Sequence, residues 1–246
     1  MAELCHCARL RLAEREKMNT PKISKRLEAA ASFVQRGGVI ADVGTDHAYL
    51  PIYLYASGLI VGAVASDVNQ GPIDRAKANV RAWGADKAIS VIRTDGLSGI
   101  EKYSPNDIFI LGMGGELIVK ILSDAEWIKR QRRLILQPMT HPEILREYLY
   151  SNGFGIVDEV IVEDDKIYQI ICAEHTGEVY TPTESELFFG KINIERGGHL
   201  LRKLLLYTKA VYEQRIKGKM CAGADSSDEQ KMIRNIQTIL EGEKYI

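Results

Sequence analysis

In the segment KISKRLEAAASFVQ, residues 22–35, the apolar positions Ile23, Leu27, Ala30 or Ala31, and Val34 recur every three to four residues. That spacing predicts an amphipathic helix with one buried face. Gly37-Gly38 stops it, and Val39-Ile40-Ala41 then has the length and character of a short buried strand. The alternation continues with a helix over 50–56, a strand over 62–66 and a helix over 73–83. Strands over 89–93 and 107–111, a helix over 116–122, a strand over 133–137 and a helix over 141–152 complete it. Strands alternating with helices predict an α/β domain, a parallel sheet covered on both faces.

The alternation then breaks. Residues 155–162 and 166–172 are two β-rich runs separated by Glu163-Asp164-Asp165, so the sheet is expected to finish in an antiparallel hairpin. From Glu184 onward Leu187, Ile194, Leu200, Leu201, Leu204, Leu205, Tyr207 and Val211 crowd a helical segment rich in Lys and Arg, with an irregularity at Gly197-Gly198. A loop over 223–227 leads to a second stripe, Met232, Ile236 and Ile239. Two helices joined this way form a hairpin. The expected division is an α/β domain up to residue 183 and a helical domain over 184–246.

Charge adds a second layer. The chain of 246 residues has a formal net charge of −1, which excludes a uniformly basic nucleic-acid-coating protein. The average hides a segregation: residues 1–36 carry a local +4, residues 37–186 a local −9, residues 187–220 a local +6 and the last 26 a local −2. An acidic body with basic flanks suggests a polyanion held beside it. No apolar run approaches the ~20 residues of a membrane span, and the charged N-terminus does not read as a secretory signal. Four cysteines in such a chain are expected to be reduced thiols of a cytoplasmic protein. Cys5-His6-Cys7 lacks a second pair at ligand spacing, so no metal is expected.

The candidate chemistry lies after the strands. Asp42-Val-Gly44-Thr-Asp46-His47 follows the first strand, where Gly44 lets backbone approach a ligand closely. The spacing lacks the further glycines of a dinucleotide site, and Asp46 would repel a pyrophosphate, which disfavours a nicotinamide-dependent oxidoreductase. Asp67 ends the second strand, placed to accept both hydroxyls of a ribose. Asp95 in Thr94-Asp-Gly96-Leu follows the third strand, placed to receive an adenine amine. Gly112-Met113-Gly114-Gly115 follows the fourth, where a flat ligand can lie on backbone. Four such loops at one sheet edge point to an adenosine-containing cofactor without a pyrophosphate, S-adenosylmethionine. Asp95 and the 112–115 loop, with Gly112, Met113 and Gly114, are the candidates for holding the target base or the adenosine beside it. His141 is read as a helix start, and Tyr49 and Tyr168 as packing residues.

ISKRLEAAASFV, IADVGTDHAYLPIYL, ASDVNQGP, TDGL, ILGMGGELI, LILQPM and VEDDKIYQII together resemble the bacterial tRNA (adenine(22)-N1)-methyltransferase family, TrmK, over about residues 18–175. The resemblance implies a Rossmann-like, class I S-adenosylmethionine-dependent methyltransferase sheet over 18–183, a coiled-coil-like helical domain over 184–246, and methylation of adenine N1 in tRNA; residues 1–17 depart from it and are expected to be an extension. It carries over Gly44, Asp46, His47, Asp67, Val68, Asn69, Asp95, Gly96, Gly112 and Met113 as cofactor contacts. Lys25 and Arg26, and in the tail Arg202, Lys203, Lys209, Arg215, Lys217 and Lys219, are the candidate contacts to RNA phosphate. Methylation of another RNA or of a small molecule, and RNA binding without catalysis, are the alternatives.

Overall fold

The computed structural model describes residues 20–130 and 132–242. Cys5-His6-Cys7 and the expected 1–17 extension lie outside the described residues. A short helix α1 (Lys25–Ala31) precedes β1 (Val39–Val43), α2 (Tyr49–Ala56), β2 (Gly62–Asp67), α3 (Gln70–Ala82) and β3 (Ile89–Arg93). Then come β4 (Asp107–Met113), α4 (Gly115–Ser123), β5 (Arg133–Pro138), α5 (Pro142–Ser151) and the hairpin β6 (Phe154–Glu163) with β7 (Ile167–His175). The seven strands form one sheet in the order β3-β2-β1-β4-β5-β7-β6. The first five are parallel, while β7 runs antiparallel to both β5 and β6.

Strands covered on both faces must be apolar on both, which is why β1, β2 and β5 read as continuous apolar runs rather than alternations. One face packs Ile108, Ile110, Leu134 and Leu136 against Ile118, Leu122, Leu145 and Leu149 of α4 and α5. The other packs Ile40, Ala65, Phe109 and Ile135 against Ala30, Ile52, Leu54 and Val80 of α1, α2 and α3. Each fully buried Leu or Ile contributes roughly 1.5–3 kcal/mol of transfer free energy.

Two expected elements differ. The helix expected over 22–35 spans only Lys25–Ala31. Ser24 caps its start, and beyond Ala31 tertiary bonds take the backbone: the Phe33 carbonyl accepts from Arg133 and the Gln35 N–H donates to buried Asp107 at 2.6 Å. The first tail helix is three helices, α6 (Glu184–Phe189), α7 (Lys191–Arg196) and α8 (His199–Cys221), followed by α9 (Ser227–Gly242). The breaks fall at Gly190 and at Gly197-Gly198, all with positive φ. Phe189, Leu201, Leu205, Met232 and Ile236 close a third core, packed on Ile161 and Ile167 of the hairpin. No helix among the described residues is long and apolar enough to cross a membrane.

Candidate functional site

Strand order reverses between β1 and β4, the position in an open parallel sheet where a ligand crevice opens at the carboxyl edge. The loops after β1, β2, β3 and β4 all emerge there. Gly44 and Thr45 both donate backbone N–H bonds to the Ser66 carbonyl at 2.8 Å, which pins the first turn to β2. Gly44 has φ +79°, and a Cβ on it would stand 2.1 Å from the Cε of Met113. The positive φ favours glycine there, and any side chain would also have to displace the Met113 methyl.

Met113 reaches Gly44 because β4 carries a bulge. The register of β4 against β5 shifts between Leu111 and Met113, and Gly112, with φ +77°, sits in the irregularity. A bulge re-aims the side chain that follows it. Its backbone N–H donates to Gln137 Oε1 at 3.1 Å, and the same oxygen accepts from Arg26 Nη1 at 2.7 Å. Gln137 is fully buried. A cation from α1, an amide from β5 and the glycine bulge of β4 thus share one oxygen at the crevice wall. The Arg26 guanidinium also lies 5.4 Å above the Tyr168 ring, and Tyr168 is buried. Arg26, expected on RNA phosphate, instead gives Nη1 to Gln137, a residue whose one signal in the sequence is an amide ending the apolar run Leu134-Ile135-Leu136.

Asp46 does not stand free. Arg75 of α3 pairs with it, Nε at 3.2 Å and Nη2 closer, and His47 Nε2 lies 3.1 Å from its other oxygen. The Arg75 hydrogen bond holds its carboxyl below the usual range. Asn79 Nδ2 donates to the His47 carbonyl, so α3 braces the turn, and the His47 ring stacks on Tyr49 at 5.2 Å. Asp42 is buried beneath them; burial pushes its carboxyl up to about 6 against an opposing hydrogen bond from Thr45.

Asp67 Oδ1 accepts the Asn69 N–H at 2.7 Å, and its Oδ2 has no protein partner among the described residues. Val68 beside it is 51% exposed, an apolar surface at the crevice. Asp95 and Gly96 line a cavity of about 840 Å³ with Leu117 and Ile121 of α4. A second, of about 260 Å³, lies between Arg26 and Leu27 of α1 and the turn at Asp42, Gly44 and His47. The structure therefore gathers Gly44, Asp46, His47, Asp67, Val68, Asn69, Asp95, Gly96, Gly112 and Met113 along one edge. This edge fits S-adenosylmethionine: Asp67 ends β2 with Oδ2 open, and Asp67 and Asp95 are free of ion pairs among the described residues. Among those residues no group of three or more His, Cys, Asp or Glu could hold a metal.

His141 is the residue before α5, with φ +53° and Nδ1 2.9 Å from Glu143. Of the tail cations, Lys203 pairs with Glu163, Lys219 with Glu229 and Lys209 with Glu213, while Arg215 lies 5.0 Å over the Tyr212 ring. Arg202, Lys217 and, on α1, Lys25 are exposed without ion pairs among the described residues.

Comparison with known proteins agrees with this geometry. Residues 23–171 match the family model described as "Methyltransferase domain". A tRNA (adenine(22)-N(1))-methyltransferase of Bacillus subtilis is 43% identical over 159 residues, 64% of this chain and 67% of that protein. The solved B. subtilis m1A22 tRNA methyltransferase TrmK superposes with a TM-score of 0.71 at 32% identity, covering 89% of this chain and 96% of that one. A Streptococcus pneumoniae protein, described as a candidate tRNA (m1A22) methyltransferase and solved with S-adenosyl-L-methionine, gives 0.81 at 34% identity, covering 89% and 100%. The chain belongs to the tRNA (adenine(22)-N1)-methyltransferase family.

Proposed function

We propose that this chain transfers a methyl group from S-adenosylmethionine to N1 of adenine 22 in tRNA, and that the loops after β1 to β4 divide the work. The carrying observation is Asp67 Oδ2, without a partner among the described residues, beside the turn at Gly44 and at the edge where strand order reverses. S-adenosylmethionine supplies a methyl on a cationic sulfur. Gly44, Asp46 and His47 hold its amino-acid end, Asp67 its ribose hydroxyls, and Val68, Asn69, Asp95 and Gly96 its adenine.

Adenine N1 has an in-plane lone pair and no proton, so the chain needs no general base. As the nitrogen–carbon bond forms and the sulfur–carbon bond breaks, positive charge passes to the base. The protein's part is alignment and stabilisation of that charge. Gly112, Met113 and Gly114 offer backbone and a thioether against which the target base lies. Asp67 and Asp95 supply negative charge nearby. Lys25, Arg202, Arg215 and Lys217 face the RNA, and a tRNA substrate fits a reaction in the cytoplasm.

The test is mass spectrometry of nucleosides from unmodified tRNA incubated with the protein and S-adenosylmethionine. Formation of 1-methyladenosine supports the reading. Cofactor binding with methylation of a small molecule and none of tRNA overturns it.

A further inference from the structure

Helix α8 and the loop between β5 and α5 enclose a groove of about 410 Å³ outside the cofactor crevice, a volume in the range of small-ligand sites. Tyr207, Thr208, Val211, Tyr212 and Arg215 line its α8 side, positions that recur on one helix face. Tyr207 is 66% exposed. Met139, Thr140 and His141 line the facing side. That facing loop is tied directly to the target-base loop: Met139 N–H donates to the Met113 carbonyl and Gly115 N–H to the Thr140 carbonyl, both at 2.8 Å. One wall of the groove is therefore bonded to the loop where the target base is placed.

We infer that this groove binds one unpaired nucleotide of the substrate tRNA next to the methylated adenine, with its base stacked on Tyr207. The inference rests on the tRNA reading above. N1 lies on the pairing edge of adenine, so the target must be unpaired and drawn from its stack, which leaves a neighbour with an uncovered face. Exposed tyrosine rings cover such faces whatever the base, because every base has a π-face. Arg215, 5.0 Å over Tyr212 and without an ion pair among the described residues, complements a phosphate beside that base. Glu143, the one carboxylate of the lining, lies 2.9 Å from His141, which leaves Arg215 as the open charge beside the aromatic floor, an arrangement that suits one base and one phosphate.

The test measures binding of an unmodified tRNA transcript to the full chain, to Tyr207→Ala and to Tyr207→Phe, each across a salt series. Tyr207→Ala should weaken binding by roughly 5- to 150-fold, the range for losing one base stack. Its salt slope should match the wild type, because no phosphate contact is lost, and Tyr207→Phe should restore binding. Calorimetric affinity for S-adenosylmethionine should stay unchanged. Unchanged tRNA binding, lost cofactor affinity, or a change in sedimentation mass that marks the groove as a contact between copies would each overturn the inference. A wild-type chain that binds tRNA but makes no 1-methyladenosine counts against the reaction instead, and the same binding series still decides the groove.

Discussion

Arg146 of α5 and Glu159 of β6 form an ion pair, Nη2 to Oε2 at 2.7 Å, with neither side chain reaching solvent. Burying two charges costs several kcal/mol each, and the pair survives only if every remaining donor and acceptor is used. Here they are. Arg146 also donates to the Leu187 carbonyl and to Gln169, while the other Glu159 oxygen accepts backbone N–H bonds from Ile192 and Asn193. A Cβ on Gly190 would stand 2.1 Å from that carboxylate. Sheet, α5 and the first two tail helices are joined through this one cluster.

Glu159→Gln should therefore destabilise the protein by about 3–5 kcal/mol, because it strands a buried guanidinium. Replacing both partners with apolar residues removes the stranded charge but leaves the Leu187 carbonyl and the Ile192 and Asn193 N–H groups without them, so the double variant should cost less than the sum of the two single replacements. Urea unfolding of the single and double variants checks this; strictly additive losses would refute it.

Asp67→Asn keeps an acceptor for the Asn69 N–H but removes the charge offered by Oδ2. Loss of charge-assisted hydrogen bonds should weaken S-adenosylmethionine binding by about 1.5–3 kcal/mol, roughly ten- to a hundredfold. Calorimetric titration reads the change, and wild-type affinity in the variant would remove Asp67 from the site.

Arg202→Ala and Lys217→Ala should each lower the slope of log binding constant against log salt for tRNA by about 0.7–0.9, the signature of one lost phosphate contact. Lys203→Ala should change it less, since Glu163 already neutralises that cation. Three variants with identical slopes would show that α8 does not meet the backbone of the RNA.

Asp107, fully buried at the start of β4, has its carboxyl pushed up to about 6, chiefly by burial. The sign follows from linkage: below about pH 4 both folded and unfolded chains hold the proton, and between there and pH 6 only the folded chain does, so rising pH erodes stability. Asp107→Asn removes this term. Its stability relative to the wild type should rise by about 2–3 kcal/mol between pH 4 and pH 8. Thermal unfolding across that range measures it, and a pH-independent difference would be the contrary result.

Elements set by local periodicity were legible in the sequence. The five parallel strands, the closing hairpin and the glycine turn at Gly44 follow from apolar runs bounded by Gly, Asn and Asp. What local pattern could not show was a partner far along the chain. Helix α1 ends early because Asp107 and Arg133 take its backbone groups. Arg26 looked like a surface cation until β5 brought Gln137 to it, and Lys203, Lys209 and Lys219 looked free until Glu163, Glu213 and Glu229 met them. Strand β4 was read as ending at Leu111 because a bulge at Gly112 leaves no periodic signature.

The contact at Gly190 has a mechanical consequence. A residue without a side chain, seated on a buried carboxylate, is a poor hinge: turning α7 about it would tear the Ile192 and Asn193 N–H groups from Glu159. The hairpin and α7 are thereby built as one strut, and any swing of α8 is left to the next break in the tail, the glycine pair at Gly197-Gly198.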